Sequence, residues 1–78
     1  MQLILVSPEK KDVIEVAWVE LNTPSGNYII QPGHAPMALA LTSKQPFIYA
    51  HKNGKEEIIM VERAIAEITR SQITILLS

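Results

Sequence analysis

The residues of this chain best suited to acid–base or metal chemistry are two histidines, His34 and His51. Catalysis by a histidine needs a polar partner within hydrogen-bond distance, and the acidic residue nearest to His34 in the sequence is Glu20. A metal site needs three or more ligands, so two histidines would require scattered carboxylates to converge. The sequence therefore favours a non-catalytic role for His34 and predicts no metal or other cofactor.

His34 lies in the segment Pro-Gly-His-Ala-Pro, residues 32–36, between two apolar runs. Two non-catalytic roles remain open. In one, Pro-Gly makes a turn and the imidazole satisfies buried backbone groups beside it. In the other, Pro32 and Pro36 fix φ, remove two amide donors and keep the segment rigid. A rigid loop loses little entropy on docking, and we favour this role as a surface for a partner.

Composition excludes several classes of protein. With 78 residues the chain is long enough for one domain, and an apolar fraction of 47% argues against disorder. A net charge of −1 offers no broad basic field for nucleic acid. The absence of cysteine removes disulfides, thiolate nucleophiles and cysteine-based zinc sites. The sequence shows no signal-peptide pattern, and its apolar runs are far shorter than the about 20 residues of a membrane span, so we expect a cytosolic domain.

Short apolar runs alternate with turn signals at the spacing of about 8–12 residues that is typical of an all-β sandwich or barrel. The runs cover residues 2–6, 13–21, 37–41, 47–51 and 73–77. Within the second run, Ile14, Val16 and Trp18 share one face, and we expect Trp18 to pack in the core or between sheets. Asn53-Gly54 predicts a hairpin with a type I′ turn, which requires positive φ at both central residues.

Residues 55–70 do not fit this pattern easily. They contain no glycine or proline, and Ile58, Val61, Ile65 and Ile68 recur at the three- and four-residue spacing of a helix. Two strands would require a hairpin corner at Glu62-Arg63, with residues 58–61 buried on both faces. The local sequence alone slightly favours the helix.

The segment GNYIIQPGHAPMALAL, residues 26–41, resembles the signature of the epsilon subunit of rotary F-type ATP synthases. LILVSPE near the start, NGKEE in the middle and AEITRSQITILL near the end resemble further blocks of that family, in order from residue 3 to residue 77. The resemblance implies one epsilon N-terminal domain over residues 1–78, built of two five-stranded antiparallel sheets in a sandwich. It also favours two strands over residues 55–70, because tertiary context often overrides local propensity.

The same resemblance implies a non-catalytic subunit of the central stalk that links the gamma subunit to the ring of c subunits. Such a subunit couples proton or sodium transport to ATP synthesis at the cytoplasmic face of the bacterial plasma membrane, without inserting into it and without a small-molecule substrate. The residues matched to gamma contacts are Ser7, His34, Ala35, Pro36 and Leu39, and those matched to c-ring contacts are Asn27 and Tyr28. Ser7 falls near both partners.

Two of these positions carry further expectations. Asn27 replaces an acidic residue, so no salt bridge to the ring is expected there and the contact should be weaker. Tyr28 is either an exposed interface aromatic or a residue at the edge of the sandwich, and the sequence does not choose between them.

Several positions depart from the family pattern. Ile14, Ile29, Lys44 and residues 63–64 stand where glycines are usual, which predicts reshaped turns. Family members also usually continue into two C-terminal helices that can restrain rotation and in some cases bind ATP. The sequence stops at Ser78 after the last apolar run, so we expect these residues to carry neither function. A free-standing regulatory or adaptor module derived from the domain is the alternative.

Overall fold

The structure, a computed structural model, describes all residues from Met1 to Ser78. Alternating apolar residues form nine strands joined by short turns. The strands are β1 (Gln2–Val6), β2 (Lys11–Glu15), β3 (Trp18–Thr23), β4 (Gly26–Ile30), β5 (Met37–Ala40), β6 (Pro46–Ala50), β7 (Glu56–Met60), β8 (Ala64–Ile68) and β9 (Gln72–Leu77). The all-β prediction is confirmed. Residues 55–70 hold two strands, β7 and β8, rather than the helix that local propensity favours.

The strands make a sandwich of one five-stranded and one four-stranded sheet, with the orders β2-β1-β9-β8-β5 and β4-β3-β6-β7. The expectation of two five-stranded antiparallel sheets is therefore wrong in detail. The second sheet has four strands, and β1 pairs with β9 in parallel. The β8–β9 hairpin sets the direction of β9, and this direction makes β9 parallel to β1 where the two meet.

The apolar run over residues 13–21 is two strands, not one. β2 ends at Glu15 in the five-stranded sheet and β3 begins at Trp18 in the four-stranded sheet. Between them Val16 N–H donates to the Met1 carbonyl at 2.9 Å and Ala17 N–H to the Ala50 carbonyl at 2.7 Å. This switch changes which residues point inward. Val16 and Val19 are three residues apart, so strict alternation would place them on opposite faces, yet neither has any exposed surface.

Trp18 consequently does not join the core. It is half-buried on the outer face of the four-stranded sheet, where it pairs with Ala50 across β3 and β6. The predicted packing of Trp18 in the core or between the sheets is therefore wrong. The two residues between β2 and β3 place the indole on the opposite face from Val19.

The core lies between the sheets and draws on both of them. Its largest fully buried side chains are Phe47, Leu3, Leu21, Ile30, Ile73 and Ile75. Burial of each such side chain contributes about 1.5–3 kcal/mol. Thr23 is the one buried polar residue, and its hydroxyl donates to the Gly26 carbonyl at 2.8 Å.

The corner at Glu62-Arg63 joins two sheets, because β7 belongs to the four-stranded sheet and β8 to the five-stranded one. Val61 is buried there, but Ile58 and Met60 are each 66% exposed. The expected burial of residues 58–61 on both faces is therefore wrong. β7 is an edge strand whose outer face meets solvent.

The turns also depart from expectation. The β6–β7 hairpin is confirmed, but its turn is not type I′, because Gly54 has positive φ (93°) and Asn53 does not. Gly54 N–H donates to the His51 carbonyl at 2.9 Å, as in a turn followed by a glycine bulge. Among the positions where glycine is usual, only Lys44 keeps a left-handed backbone, with φ 59°; Ile14 and Ile29 lie in strands.

Candidate partner-binding surfaces

The strand pairings place the predicted site residues at two opposite ends of the sandwich. Met37 pairs with Ile68, so residues 31–36, which precede Met37, lie at the same end as the β8–β9 turn. Ala40 pairs with Ile65 at the far end of β5. Ile65 pairs in turn with Leu76, and Leu76 with Val6, so Val6 lies at this end too. The Asn22 carbonyl accepts from Thr42 N–H at 2.8 Å, which puts the β3–β4 hairpin at this second end. We call the first the loop end and the second the hairpin end.

The loop end is built on residues 31–36, and backbone hydrogen bonds hold this loop. Gly33 N–H donates to the Arg70 carbonyl at 2.8 Å, and His34 N–H donates to the Gln31 carbonyl at 3.1 Å. The Arg70 guanidinium reaches the Gly33 carbonyl at 3.4 Å. Gly33 has φ 87°, a conformation that glycine adopts without steric cost. The loop is thus tied to the β8–β9 turn rather than free in solvent.

His34, Ala35 and Pro36 remain accessible within this anchored loop. Ala35 and Pro36 are exposed and His34 is half-buried. The imidazole Nδ1 lies 2.8 Å from the Ala35 carbonyl oxygen, and no carboxylate pairs with the ring. The interpretation of His34 as a residue that only satisfies buried backbone groups does not fit this arrangement, because its one hydrogen bond is to an exposed neighbour.

Leu39 lies on β5, an edge strand of the five-stranded sheet. It pairs with the fully buried Ala66, and its half-buried side chain packs against the core. Ala38 and Ala40 are the exposed residues of the same strand. The outward surface of β5 is therefore formed by alanines and the free backbone edge, while Leu39 reaches the surface only in part.

The hairpin end carries Asn27 and Tyr28. The exposed Asn27 amide donates to Glu20 Oε2 at 3.1 Å and to Asn22 Oδ1 at 3.0 Å. Tyr28 is half-buried, packs against the core and has its hydroxyl 3.4 Å from Ser25 Oγ. Of the two roles open to Tyr28, the structure supports the residue at the edge of the sandwich.

Ser7 also lies at the hairpin end, next to Val6, and not beside His34. Its backbone N–H donates to the Lys10 carbonyl at 2.9 Å, and its hydroxyl accepts from Lys10 N–H at 3.3 Å. The side chain thus closes the β1–β2 turn. The five residues matched to gamma contacts are divided between the two ends, since Ser7 shares its end with Asn27.

The sequence analysis did not predict an apolar outer face on the four-stranded sheet. Ile29 is 55% exposed, and with Glu20, Ile48 and Ile58 it forms one row across all four strands. Met60 lies two residues beyond Ile58 on the same face. Ile48, Ile58 and Met60 are neighbours on this face, and Glu20 separates them from Ile29. Exposed apolar residues grouped in this way mark interaction surfaces. Residues 56–60 do not alternate between polar and apolar types, so their sequence does not show that only every second side chain is exposed.

The second histidine is satisfied within the domain. His51 Nε2 lies 3.1 Å from Glu57 Oε2, and its ring meets Tyr49 edge-on with centroids 5.3 Å apart. Burial raises the pKa of the Tyr49 hydroxyl, and the carboxylates of Glu57 and Asp12 raise it further. No group of three or more His, Cys, Asp or Glu side chains is placed to hold a metal ion.

Comparison with known proteins identifies the family of this sandwich. The family described as "ATP synthase, Delta/Epsilon chain, beta-sandwich domain" matches residues 1–78. The chain belongs to this family. The resemblance to the ATP synthase epsilon subunit is thereby confirmed. No curated protein matches the chain in sequence.

Two solved structures share the fold of this ATP synthase delta/epsilon domain. A chain of the Euglena gracilis mitochondrial ATP synthase, in a structure of OSCP, F1 and the c-ring, is similar with a TM-score of 0.84 at 16% identity. A chain of the Tetrahymena thermophila mitochondrial ATP synthase, from its central stalk and c-ring, is similar with a TM-score of 0.79 at 14% identity. At these identities the likeness shows the fold alone.

The match covers nearly all of this chain but only part of the two solved chains. It includes 96% of this chain and 48% of the Euglena chain, and 99% of this chain and 62% of the Tetrahymena chain. The domain therefore spans about half to two thirds of these relatives. It contains no helix of the length and apolar character needed to cross a membrane.

Proposed function

We propose that this delta/epsilon domain is a non-catalytic rotor component of an F-type ATP synthase that links the gamma subunit to the c ring. In this role it couples proton or sodium transport to ATP synthesis at the cytoplasmic face of the bacterial plasma membrane. The observation that carries the proposal is the separation of the candidate contact residues. His34, Ala35 and Pro36 occupy one end of the sandwich, and Asn27 occupies the other, together with Ser7, which the resemblance places near both partners.

This arrangement suits a mechanical link. Neither end depends on a flexible linker, because the loop at residues 31–36 is hydrogen-bonded to the β8–β9 turn and Tyr28 packs against the core. A packed interior transmits force because its compressibility is low. Torque applied at one end would therefore reach the other without deforming the domain. Leu39, on the edge strand next to the loop, would extend the gamma contact along β5.

The outer face of the four-stranded sheet supports a large partner as well. Ile29, Ile58 and Met60 are each more than half exposed, and a domain of this size gains no stability from leaving them in water. Glu20 and the exposed Glu56 on the same face would favour a partner with basic residues around an apolar centre.

A bridging experiment tests the proposal. The c ring is immobilised in detergent, and capture of gamma from the same organism is measured with and without the domain. We expect gamma to be retained only when the domain is present. Capture of the domain by gamma without any retention on the ring would favour the adaptor alternative, and a domain that binds neither partner would overturn the proposal.

A substitution at the loop end and a matched control test the gamma contact in the same assay. His34→Ala is expected to weaken gamma binding about tenfold, the effect of losing about one hydrogen bond, and to leave ring binding unchanged. His51→Ala is the matched control. His51 follows Ala50, which pairs with Trp18 at the loop end, and its ring is already paired with Glu57. Equal effects of the two substitutions on gamma binding would argue against a contact at His34.

A further inference from the structure

The hydrogen bond of the His34 ring determines which of its nitrogens carries the proton. Nδ1 lies 2.8 Å from the Ala35 carbonyl oxygen. A carbonyl oxygen can only accept, so Nδ1 must be the donor of this bond. In the neutral imidazole the other nitrogen, Nε2, then holds a lone pair and no hydrogen.

Nε2 of His34 has no partner within the domain. The only hydrogen bond of this side chain is the one from Nδ1, and no acidic side chain forms an ion pair with it. His51 differs, because its Nε2 is 3.1 Å from the carboxylate of Glu57. One histidine is thus satisfied internally, and the other keeps an acceptor available to a neighbour.

The loop fixes the direction of this acceptor. The bond from Nδ1 ties the ring to the residue that follows it, and the His34 and Gly33 N–H groups are bonded to the Gln31 and Arg70 carbonyls. Pro36 restricts Ala35 in turn. An acceptor held in this way loses little entropy when a partner binds.

The same loop also leaves a donor unused. Ala35 N–H donates to no atom of the domain, and Ala35 is exposed. Residues 34–35 therefore present one free acceptor and one free donor in adjacent residues. The backbone N–H and C=O of one residue in an extended strand, or a side-chain amide, form the complementary pair.

We propose that His34 Nε2 accepts a hydrogen bond from an amide N–H of the gamma subunit, while Ala35 N–H donates to an amide carbonyl of the same partner. The group recognised is the backbone N–H and C=O of one residue, or an Asn or Gln side chain. Groups that only accept, such as carboxylates, do not fit at Nε2 of the neutral ring. This inference rests on the proposed function, because it names the chemistry of the gamma contact.

The tautomer is measured on the free domain, independently of any partner. Long-range nitrogen–proton NMR correlations of the ¹⁵N-labelled domain at neutral pH distinguish protonated from unprotonated ring nitrogens. We expect His34 to show the Nδ1–H tautomer. A dominant Nε2–H tautomer would overturn the acceptor role.

Two variants then test the contact in binding to gamma. His34→Gln places an amide oxygen at about the reach of Nε2, whereas His34→Asn is too short to do so and keeps only a donor for the Ala35 carbonyl. We expect the asparagine variant to bind gamma about tenfold more weakly than the wild type, and the glutamine variant to lose clearly less. Equal losses would overturn the proposal.

His51→Asn is the control for the asparagine variant and should bind gamma as the wild type does. If the wild-type domain fails to bind gamma at all, the proposed function fails and this contact fails with it. The tautomer measurement on the free domain distinguishes the two cases, because a wrong tautomer rejects the contact while leaving gamma binding intact.

Discussion

The two ends of the sandwich are held in place by different means. At the loop end, residues 31–36 are fixed by two prolines and by backbone bonds such as Gly33 N–H to the Arg70 carbonyl. At the hairpin end, side chains hold the turn. The Thr23 hydroxyl bonds to Ser25 and Gly26, and the Asn27 amide bonds to Glu20 and Asn22.

This difference determines which groups are left for a partner. A loop held by its backbone can present its side chains, and His34 keeps a free ring nitrogen. A turn held by its side chains has already used them. Both hydrogens of the Asn27 amide are engaged, so Asn27 can offer a partner only the remaining acceptor capacity of its oxygen. A polar contact at the hairpin end should therefore be weaker than one at the loop end.

The largest expected effect comes from changing the backbone at the loop end. Gly33→Val should lower the free energy of unfolding by about 2 kcal/mol, because a β-branched residue is strained at φ 87°. No atom lies within 4 Å of the added Cβ, so the cost comes from the backbone and not from a clash. Urea unfolding measures the change. Ala35→Val at the neighbouring exposed position is the control and should change stability little.

The matching change at the hairpin end removes a side-chain anchor. Thr23→Val keeps the shape of the side chain but leaves the Ser25 N–H and Gly26 carbonyl without their partner. We expect a loss of about 1.5 kcal/mol in the free energy of unfolding. Thr74→Val, on the outer face of β9, is the control. If both threonine variants unfold at the same urea concentration as the wild type, the hairpin end is not held by its side chains.

Prediction from sequence succeeded where the signal was local. The apolar runs at residues 2–6 and 73–77 predict β1 and β9, and Asn53-Gly54 predicts the β6–β7 hairpin. The switch between sheets at Val16 and Ala17 was missed because it contains neither glycine nor proline. Residues 55–70 needed the family resemblance, since the packing that makes them strands comes from elsewhere in the chain.

The site was predictable only in part. The segment at residues 32–36 identified the loop, and its role in binding stays a prediction. The Asn27 amide bonds to Glu20 and Asn22 because of the register between β3 and β4. The local sequence does not determine this register. The parallel pairing of β1 with β9 joins residues at the two extremes of the chain, and no local pattern reports such a pairing.

Alkaline pH should affect the region near the loop end. Burial, then Glu57, then Asp12 raise the pKa of Tyr49, so the folded state disfavours the ionised phenol. The resulting stability is present below the usual tyrosine pKa of about 10 and is lost as pH rises beyond it. Urea unfolding at pH 8 and pH 11 should therefore show a larger loss for the wild type than for Tyr49→Phe. Equal losses would contradict the assignment.

The smallest effect is expected at the hairpin end, where Lys44 is the only non-glycine residue with positive φ. Lys44→Gly should raise the free energy of unfolding by about 0.5 kcal/mol, because relief of about 1–2 kcal/mol of strain is partly offset by the greater freedom of glycine when unfolded. Thermal melting measures the gain. Lys52→Gly, in a turn with ordinary φ, should lower stability instead. A gain for both would show that the backbone of Lys44 is not strained.

The position of β9 between β1 and β8 has a consequence for synthesis. β9 is the last strand of this domain to leave the ribosome and the central one of its sheet, so β1 keeps an unpaired edge until Leu77 has emerged. Contacts between such distant segments form slowly, and an unpaired edge invites pairing with other nascent chains. Loss of even a few residues from β9 during translation would therefore leave two separated halves of a sheet, not a slightly shorter domain.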